Sequence, residues 1–395
     1  MARCYIGSLD YWGIGSLINA HIIGWGKYVP SKIVTNAELA ATTGIDTEWV
    51  STRTGIEQRF IADAKQASAD MAIRAARAAL EIADISPNEI GLIIAATSTP
   101  DYLFPATACL IQDGIGASRA AAFDLGAGCT GFLYALVTAD RFVRSGAYRY
   151  VLVVGTETTS RFVDWNNKNI CPYFGDGAGA VVLAANEQPG GLLGFSMSAD
   201  GSGGDLLILQ RGGTRHPFHD LADHSPQHGQ MDGRALFRYG LRAMVSLARD
   251  ALRKAHLSIQ DVDLFIPHQT NKLLVTQAAQ KLQIPESKVL INMARYANIS
   301  AACIPVSICD AIEQQRVKPD DYLLLAAFGA GLTSAAIVWQ WSQPMPQKPM
   351  RLGRRFLHAL WDAQAAFRSR FFRLEHQLDT LTRVEDEEPE GKKEE

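Results

Sequence analysis

Cysteine is scarce in this chain and never closely paired: the six cysteines stand at positions 4, 109, 129, 171, 303 and 309, with no C-x-x-C among them. A disulfide scaffold is therefore excluded, and a reducing compartment is expected. Long apolar runs are also lacking, so no segment reads as a membrane span. The opening stretch, MARCYIGSLDYWGIGSLINA, has no basic region followed by an uninterrupted apolar core. A signal peptide is accordingly not expected, and a cytoplasmic location follows. An excess of one charge is missing too. Lys and Arg number 38 against 41 Asp and Glu, a net charge of −3, which argues against general nucleic-acid binding.

What is present is the composition of a globular protein, 47% hydrophobic and 20% charged over 395 residues. That length suffices for two core-forming domains or one large one. Residues 382–395 concentrate the acids, so the rest of the chain is nearly neutral. An acidic partner would need a local basic patch rather than a basic protein.

From about Ile22 onward, short apolar runs alternate with helical stretches. Strands are predicted at Leu92–Thr97, Ala121–Leu125, Val151–Val154, Gly179–Ala184, Leu264–Ile266, Val289–Ile291, Leu323–Ala327 and Ala335–Trp339. Helices are predicted at Ala67–Ala83, Gly131–Ser145, Leu236–Ala255, Lys272–Leu282 and Ala301–Gln315. Such alternation predicts an α/β fold with largely parallel sheets. The order of elements also repeats. GLIIAATS, a helix, a strand ending before Cys129, a helix and YVLVVGTE are matched by DLFIPHQT, a helix, a strand leading to Asn298, a helix and YLLLAAFGAG. A duplicated α/β domain is expected, with one half over 20–190 and the other over 191–341. Residues 342–395 form a linker, an amphipathic helix and an acidic tail.

Cys129 lies in FDLGAGCTGF, after an apolar run and before a helix. A helix N-terminus offers unpaired N–H groups and a field that favours an anion, which lowers a thiol pKa. The alternative is a buried structural cysteine, the reading preferred for the other five. Gly126, Gly128 and Gly131 also spell G-x-G-x-x-G, and Glu157 ends the next strand near where a ribose-binding acid would lie. A nicotinamide oxidoreductase is thus a competing reading. It places the fingerprint far from the first strand, and it leaves His268 in IPHQTN and Asn298 in YANISAA unexplained. Each of these follows an apolar strand and precedes a helix, as Cys129 does. Strand C-terminal ends converge on the ligand crevice of such sheets, so the three side chains can meet there.

The segments EWVSTRTGI, PDYLFPATA, GAGCTGF, FGDGAGA, DGSGGDLL, PHQTN and NISAA occur in order. With them, residues 20–341 resemble the β-ketoacyl-acyl carrier protein synthase III family. The resemblance implies a thiolase-like duplicated α/β fold with two central mixed sheets, and a homodimer. It implies decarboxylative Claisen condensation of acyl-CoA with malonyl-acyl carrier protein, initiating fatty acid synthesis. Cys129 matches the acyl-accepting nucleophile; His268 and Asn298 match the pair that promotes malonyl decarboxylation. Cys129 and Ala330 match the oxyanion-hole N–H donors, and Phe328 the phenylalanine beside the decarboxylation site. Trp49 and Arg53 match residues contacting coenzyme A, and Phe104 a residue that enters the partner subunit's acyl pocket. Arg238 and Lys281 match positions that dock the carrier protein. Lys272 stands beside Leu273, which replaces a docking arginine. No metal or redox cofactor is implied, coenzyme A thioester being a substrate.

Departures from the family pattern fall around these residues. Tyr296 and Ala297 stand where His and Gly are usual, Ala330 replaces a glycine, and Lys168 and Asn169 stand where an Arg-Gly pair flanks the adenine. Such changes would reshape the acyl pocket or weaken coenzyme A binding, and a related acyltransferase that uses Cys129 with a different acceptor, as in secondary metabolism, is an alternative. A non-catalytic acyl-binding scaffold is a further alternative.

Two segments lie outside the resemblance or carry no role in it. His216, His219, His224 and His228, with Asp220 and Asp223, fit no metal spacing and are expected in a solvated loop. In 351–381, Leu360, Phe367, Leu374 and Leu381 recur every seventh residue, with Leu357, Phe371 and Leu378 in the neighbouring phase. Six arginines and one acid lie between 351 and 373. That helix is expected either to pack on the enzyme or its dimer mate, or to lie on a membrane surface.

Overall fold

Runs such as LIIAA at 92–96 are apolar at every position, the pattern of strands buried on both faces. In the computed structural model, which describes residues 18–218 and 226–342 together with seven residues between 360 and 375, they form the centres of two sheets. β1 (Asn19–Tyr28), β2 (Leu92–Ala96), β3 (Ala121–Leu125), β4 (Tyr150–Thr158) and β5 (Asp176–Asn186) make the first, in the order β1-β5-β4-β2-β3. β2 runs parallel to β3 and β4, whereas β5 is antiparallel to β4 and β1. β6 (Gly191–Ala199), β7 (Leu264–Pro267), β8 (Tyr322–Gly329) and β9 (Thr333–Gln340) make the second, in the order β7-β8-β9-β6. Only β7 and β8 are parallel there.

Read from β6, the second sheet repeats the first: β6, β9, β8 and β7 take the places of β1, β5, β4 and β2. The strand expected at Val289–Ile291 would take the place of β3, and it does not form. A single parallel bridge joins Val289 to Phe265. Beyond it the side-chain amide of Gln269 donates to the Leu290 carbonyl and accepts from the Asn292 N–H. A side chain thus satisfies the backbone groups that a ladder would have used.

The helices follow the same duplication. Those that pack on the two sheets are α1 (Ser68–Ala83), α2 (Thr107–Ile115), α3 (Gly131–Arg144), α4 (Gly233–Lys254), α5 (Lys272–Leu282) and α6 (Cys303–Glu313). α3 and α6 are sandwiched between the sheets, where Leu136 and Ile308 share one core with Val153 of β4 and Leu325 of β8. α1 and α2 cover the outer face of the first sheet; α4 and α5 cover that of the second. The correspondence extends to single glycines. A Cβ at Gly24 of β1 would lie 2.2 Å from the Ala79 oxygen of α1, and one at Gly194 of β6 would lie 2.4 Å from the Ala251 oxygen of α4. Helix and strand approach too closely for any side chain at either place.

Leu360, Ala363, Phe367, Arg370, Phe371, Leu374 and Glu375 are helical and exposed. Phe367 is 71% accessible and stacks on Phe371 with ring centroids 6.5 Å apart. At these positions the apolar stripe is therefore not covered by the body of its own chain. Leu357, Leu378, Leu381 and the acidic tail lie outside the described residues, as do His219, Asp220, Asp223 and His224. Among the described residues no helix is long and apolar enough to cross a membrane, and the five cysteines are free.

Candidate active site

Cys129 sits on the single 3-10 turn Gly128–Thr130, between β3 and α3, with its side chain buried. The turn packs backbone to backbone against the end of β8. A Cβ at Gly128, whose φ is +56°, would lie 2.9 Å from Ala330 N, and one at Gly329 would lie 2.5 Å from Cys129 N. Two glycines thus allow two amides to converge, and the N–H groups of Cys129 and Ala330 both favour the thiolate form of the cysteine.

Sequence reasoning expected the helix N-terminus to lower the thiol pKa. The structure reverses that sign. Burial pushes Cys129 up to about 12; the Ser300 hydroxyl and the two amides oppose the rise without overcoming it, and the Glu157 charge adds to it. Removing water from a thiolate costs more here than the helix terminus returns.

His268 follows β7 directly and is buried. Its Nε2 lies 3.1 Å from Asn298 Oδ1. The same Oδ1 accepts the Ser300 N–H at 2.9 Å, which identifies it as the amide oxygen. His268 Nε2 therefore carries the proton in this contact. Burial lowers the His268 pKa to about 4, against the opposing Asn298 hydrogen bond, so the ring is neutral at pH 7. The Phe328 ring meets it edge-on, with centroids 5.6 Å apart. Asn298 is held by its backbone, its N–H donating to the Tyr173 carbonyl and its carbonyl accepting from Gly175 N–H. Ala297, before it, has φ +58° and ψ −159°, a conformation natural to the glycine usual there.

Two cavities meet at Cys129. One is lined by Cys129, His268, Asn298, Phe328 and Phe237. The other reaches past Ser98, Glu157 and Ser300 to Phe162, Leu207 and Met231. The expected nucleophile, histidine, asparagine, phenylalanine and oxyanion donors are thus brought together. Trp49, Arg53 and Asn169 lie farther out, in a cleft shared with Arg234 and Arg238. Lys168 is nearby, donating to the Gly44 carbonyl. Arg238 and Lys281 share a basic groove with Arg242 and Arg249, which sequence reasoning missed although their spacing on α4 could have suggested them. Lys272 lines none of these spaces and packs its stem on Gly55. Phe104 is 85% exposed beside Leu103 and lines neither cavity of its own chain.

Ser300 and Glu157 were not singled out for this chemistry. Ser300 Oγ is 3.3 Å from Cys129 Sγ and 3.0 Å from Glu157 Oε1. Glu157 also accepts from Thr99 Oγ1 at 2.6 Å and from Ser98 N–H. So engaged and fully buried, it is not available to bind a ribose, which removes the main support for the dinucleotide reading.

Comparison with known proteins gives a consistent pattern. Residues 123–201 match the family 3-oxoacyl-[acyl-carrier-protein] synthase III, and residues 252–341 match its C-terminal part. The β-ketoacyl-[acyl-carrier-protein] synthase III of Roseiflexus castenholzii is 46% identical over 324 residues, covering 82% of this chain and 98% of that one. The crystal structure of 3-oxoacyl-[acyl-carrier-protein] synthase III from Aquifex aeolicus is similar with a TM-score of 0.76 and 41% identity, over 82% of this chain and 100% of that one. The priming β-ketosynthase of the R1128 polyketide pathway matches with a TM-score of 0.79 at 31% identity, over 85% and 100% of the two chains.

Proposed function

The chain belongs to the 3-oxoacyl-[acyl-carrier-protein] synthase III family, and on that premise we propose how its own residues divide the work of a decarboxylative condensation. The enzyme is an acyltransferase that joins an acyl-CoA to malonyl-acyl carrier protein and initiates fatty acid synthesis. Cys129 attacks the primer thioester; coenzyme A leaves, and the acyl group stays on sulfur. The N–H groups of Cys129 and Ala330 hold the oxyanion of that step, an effect of order 3–4 kcal/mol per donor. Malonyl thioester then enters beside His268 and Asn298. Its carboxylate leaves as CO₂, and the electron pair moves into an enolate whose oxygen faces the His268 Nε2–H and the Asn298 amide. A neutral His268 donates a hydrogen bond without quenching the carbanion. The Phe328 ring gives the departing carboxylate an apolar neighbour, which favours loss of its charge. The enolate carbon attacks the acyl carbonyl, and the C–S bond breaks to return Cys129.

The observation that carries this reading is the convergence of Cys129, His268 and Asn298 on one cavity. We assign the cavity past Glu157 and Phe162 to the primer chain, and the outer cleft with Trp49, Arg53 and Asn169 to coenzyme A. Arg238 and Lys281, joined by Arg242 and Arg249, offer a cationic dock for the acidic carrier protein. The exposed Leu103 and Phe104 support a homodimer in which Phe104 enters the mate's site. The start of β6 at Gly191 supports the boundary between halves 20–190 and 191–341. A reducing cytoplasm suits the free thiols. Priming of a polyketide is the second reading, favoured by the R1128 similarity. The exposed Leu360, Phe367, Phe371 and Leu374, flanked in sequence by arginines, support contact with an anionic membrane surface.

Intact-mass analysis after incubation with a panel of acyl-CoA thioesters tests the assignment. One acyl adduct on Cys129, absent from Cys129→Ser, is expected, followed by its consumption and CO₂ release on adding malonyl-acyl carrier protein. An adduct that forms equally on Cys129→Ser would refute it.

A further inference from the structure

The nucleophile has a protonation problem. Its thiol is buried, and a thiol must lose its proton before it attacks a thioester. His268 is the obvious base, yet its Nε2 already carries the proton that meets Asn298 Oδ1. Another acceptor lies within hydrogen-bond reach of the sulfur. Ser300 Oγ stands between Cys129 Sγ and Glu157 Oε1, at 3.3 and 3.0 Å. A hydroxyl has one proton, so Ser300 can donate to only one neighbour at a time. When it donates to a Glu157 carboxylate, its lone pairs face the thiol and accept S–H. When it donates to a Cys129 thiolate, a protonated Glu157 donates to it in turn. Both arrangements satisfy every group in the chain, and they differ only by a proton shifted at each link.

We propose that Glu157, acting through Ser300, accepts the thiol proton of Cys129 as the primer thioester is attacked. The S–H bond breaks as Ser300 takes that proton, and Ser300 passes its own to Glu157 Oε1. The sulfur lone pair forms the new C–S bond, and the tetrahedral oxyanion rests on the N–H groups of Cys129 and Ala330. On collapse, the Glu157 proton returns through Ser300 to the leaving sulfur or to the cavity. Ser300 touches the reacting atom; Glu157 works through it as a positioning and proton-holding residue. This rests on the assignment of Cys129 as acyl acceptor.

The surroundings of Glu157 suit the task. Its carboxylate is held by Thr99 Oγ1 and by the N–H group of Ser98, both just after β2, and the Ala301 N–H also favours its charged form. The titratable groups coupled to it are the thiols of Cys129 and Cys303, neither a cation that would hold its charge in place. Burial raises Glu157 to about 6, against those hydrogen bonds, so near neutrality it is ionised yet readily protonated. Ser300 has φ +50°, a left-handed backbone that a serine adopts at a cost and that keeps its hydroxyl between the two partners.

The test is the pH profile of self-acylation, measured by quench-flow intact mass with acetyl-CoA. Wild type should show a rising limb near pH 6. Ser300→Ala and Glu157→Gln should acylate about 100-fold more slowly near pH 7, the low end of a general-base contribution. The limb should vanish, with the rate recovering as hydroxide replaces the internal acceptor at high pH. Glu157→Asp should recover part of the rate. If Glu157→Gln does not fold, Ser300→Ala, which deletes one hydroxyl, still decides. Folded variants that keep the wild-type profile, or that lose rate equally at every pH, would overturn the relay alone. Failure of wild type to acylate would overturn both the relay and the assignment beneath it.

Discussion

Protonating the active-site histidine should cost the fold a measurable amount, and His268→Gln is the variant that isolates it. In the unfolded chain a histidine titrates near 6.5, whereas burial holds folded His268 to about 4. Above 6.5 both states are neutral and the residue adds no pH dependence. Between 6.5 and 4 the unfolded state binds a proton that the folded state refuses, so stability falls as pH falls. Integrating the two curves from about pH 7.5 to 5 gives a loss of about 2 kcal/mol from this residue. Glu157 and Asp140, each raised by burial to about 6, act in the opposite direction, binding protons in the folded state first. They do so in wild type and variant alike, so only the difference is read. Urea unfolding at a fixed protein concentration, at both pH values, should show wild type losing about 2 kcal/mol more than His268→Gln on acidification. Parallel losses would mean that the ring is not held neutral, and the account of His268 as a neutral donor would fall with it.

Two more outcomes follow from the geometry. Gly240→Ala places a methyl where a Cβ would lie 2.4 Å from the Phe328 ring, so the ring must move off His268. It should destabilise by about 1–3 kcal/mol and slow malonyl decarboxylation more than self-acylation, measured as separate half-reactions. Truncation after Trp341 should abolish co-sedimentation with anionic vesicles at low salt while leaving condensation intact; intact protein that never sediments would exclude the membrane contact.

The meeting of Cys129, His268 and Asn298 at one cavity was legible because cysteine, histidine and asparagine are chemically distinctive and each follows an apolar run. The strand at 92–96 was found within one residue, because a run buried on both faces has no polar break to obscure it. Val289–Ile291 looked equally strand-like. What replaced its ladder was the side chain of Gln269, and an amide side chain carries no periodicity. The sign of the helix-terminus effect on Cys129 was readable, but the depth of burial that outweighs it depends on the packing of β8 against the turn. Glu157 and Ser300 are 143 residues apart and of common types, so only the fold shows that they touch.

That separation bears on how the protein is made. Cys129 precedes Ser300 by 171 residues, and Ala330 and every strand of the second sheet, which starts at Gly191, also follow Cys129 in the chain. During synthesis the first half emerges with its nucleophile complete but its covering turn still untranslated. Contacts so distant in sequence close slowly, because loop-closure entropy is spent before any of them forms. A nascent or half-folded chain should therefore present Cys129 to solvent, and a brief pulse of alkylating reagent during refolding should mark that thiol until the two halves dock.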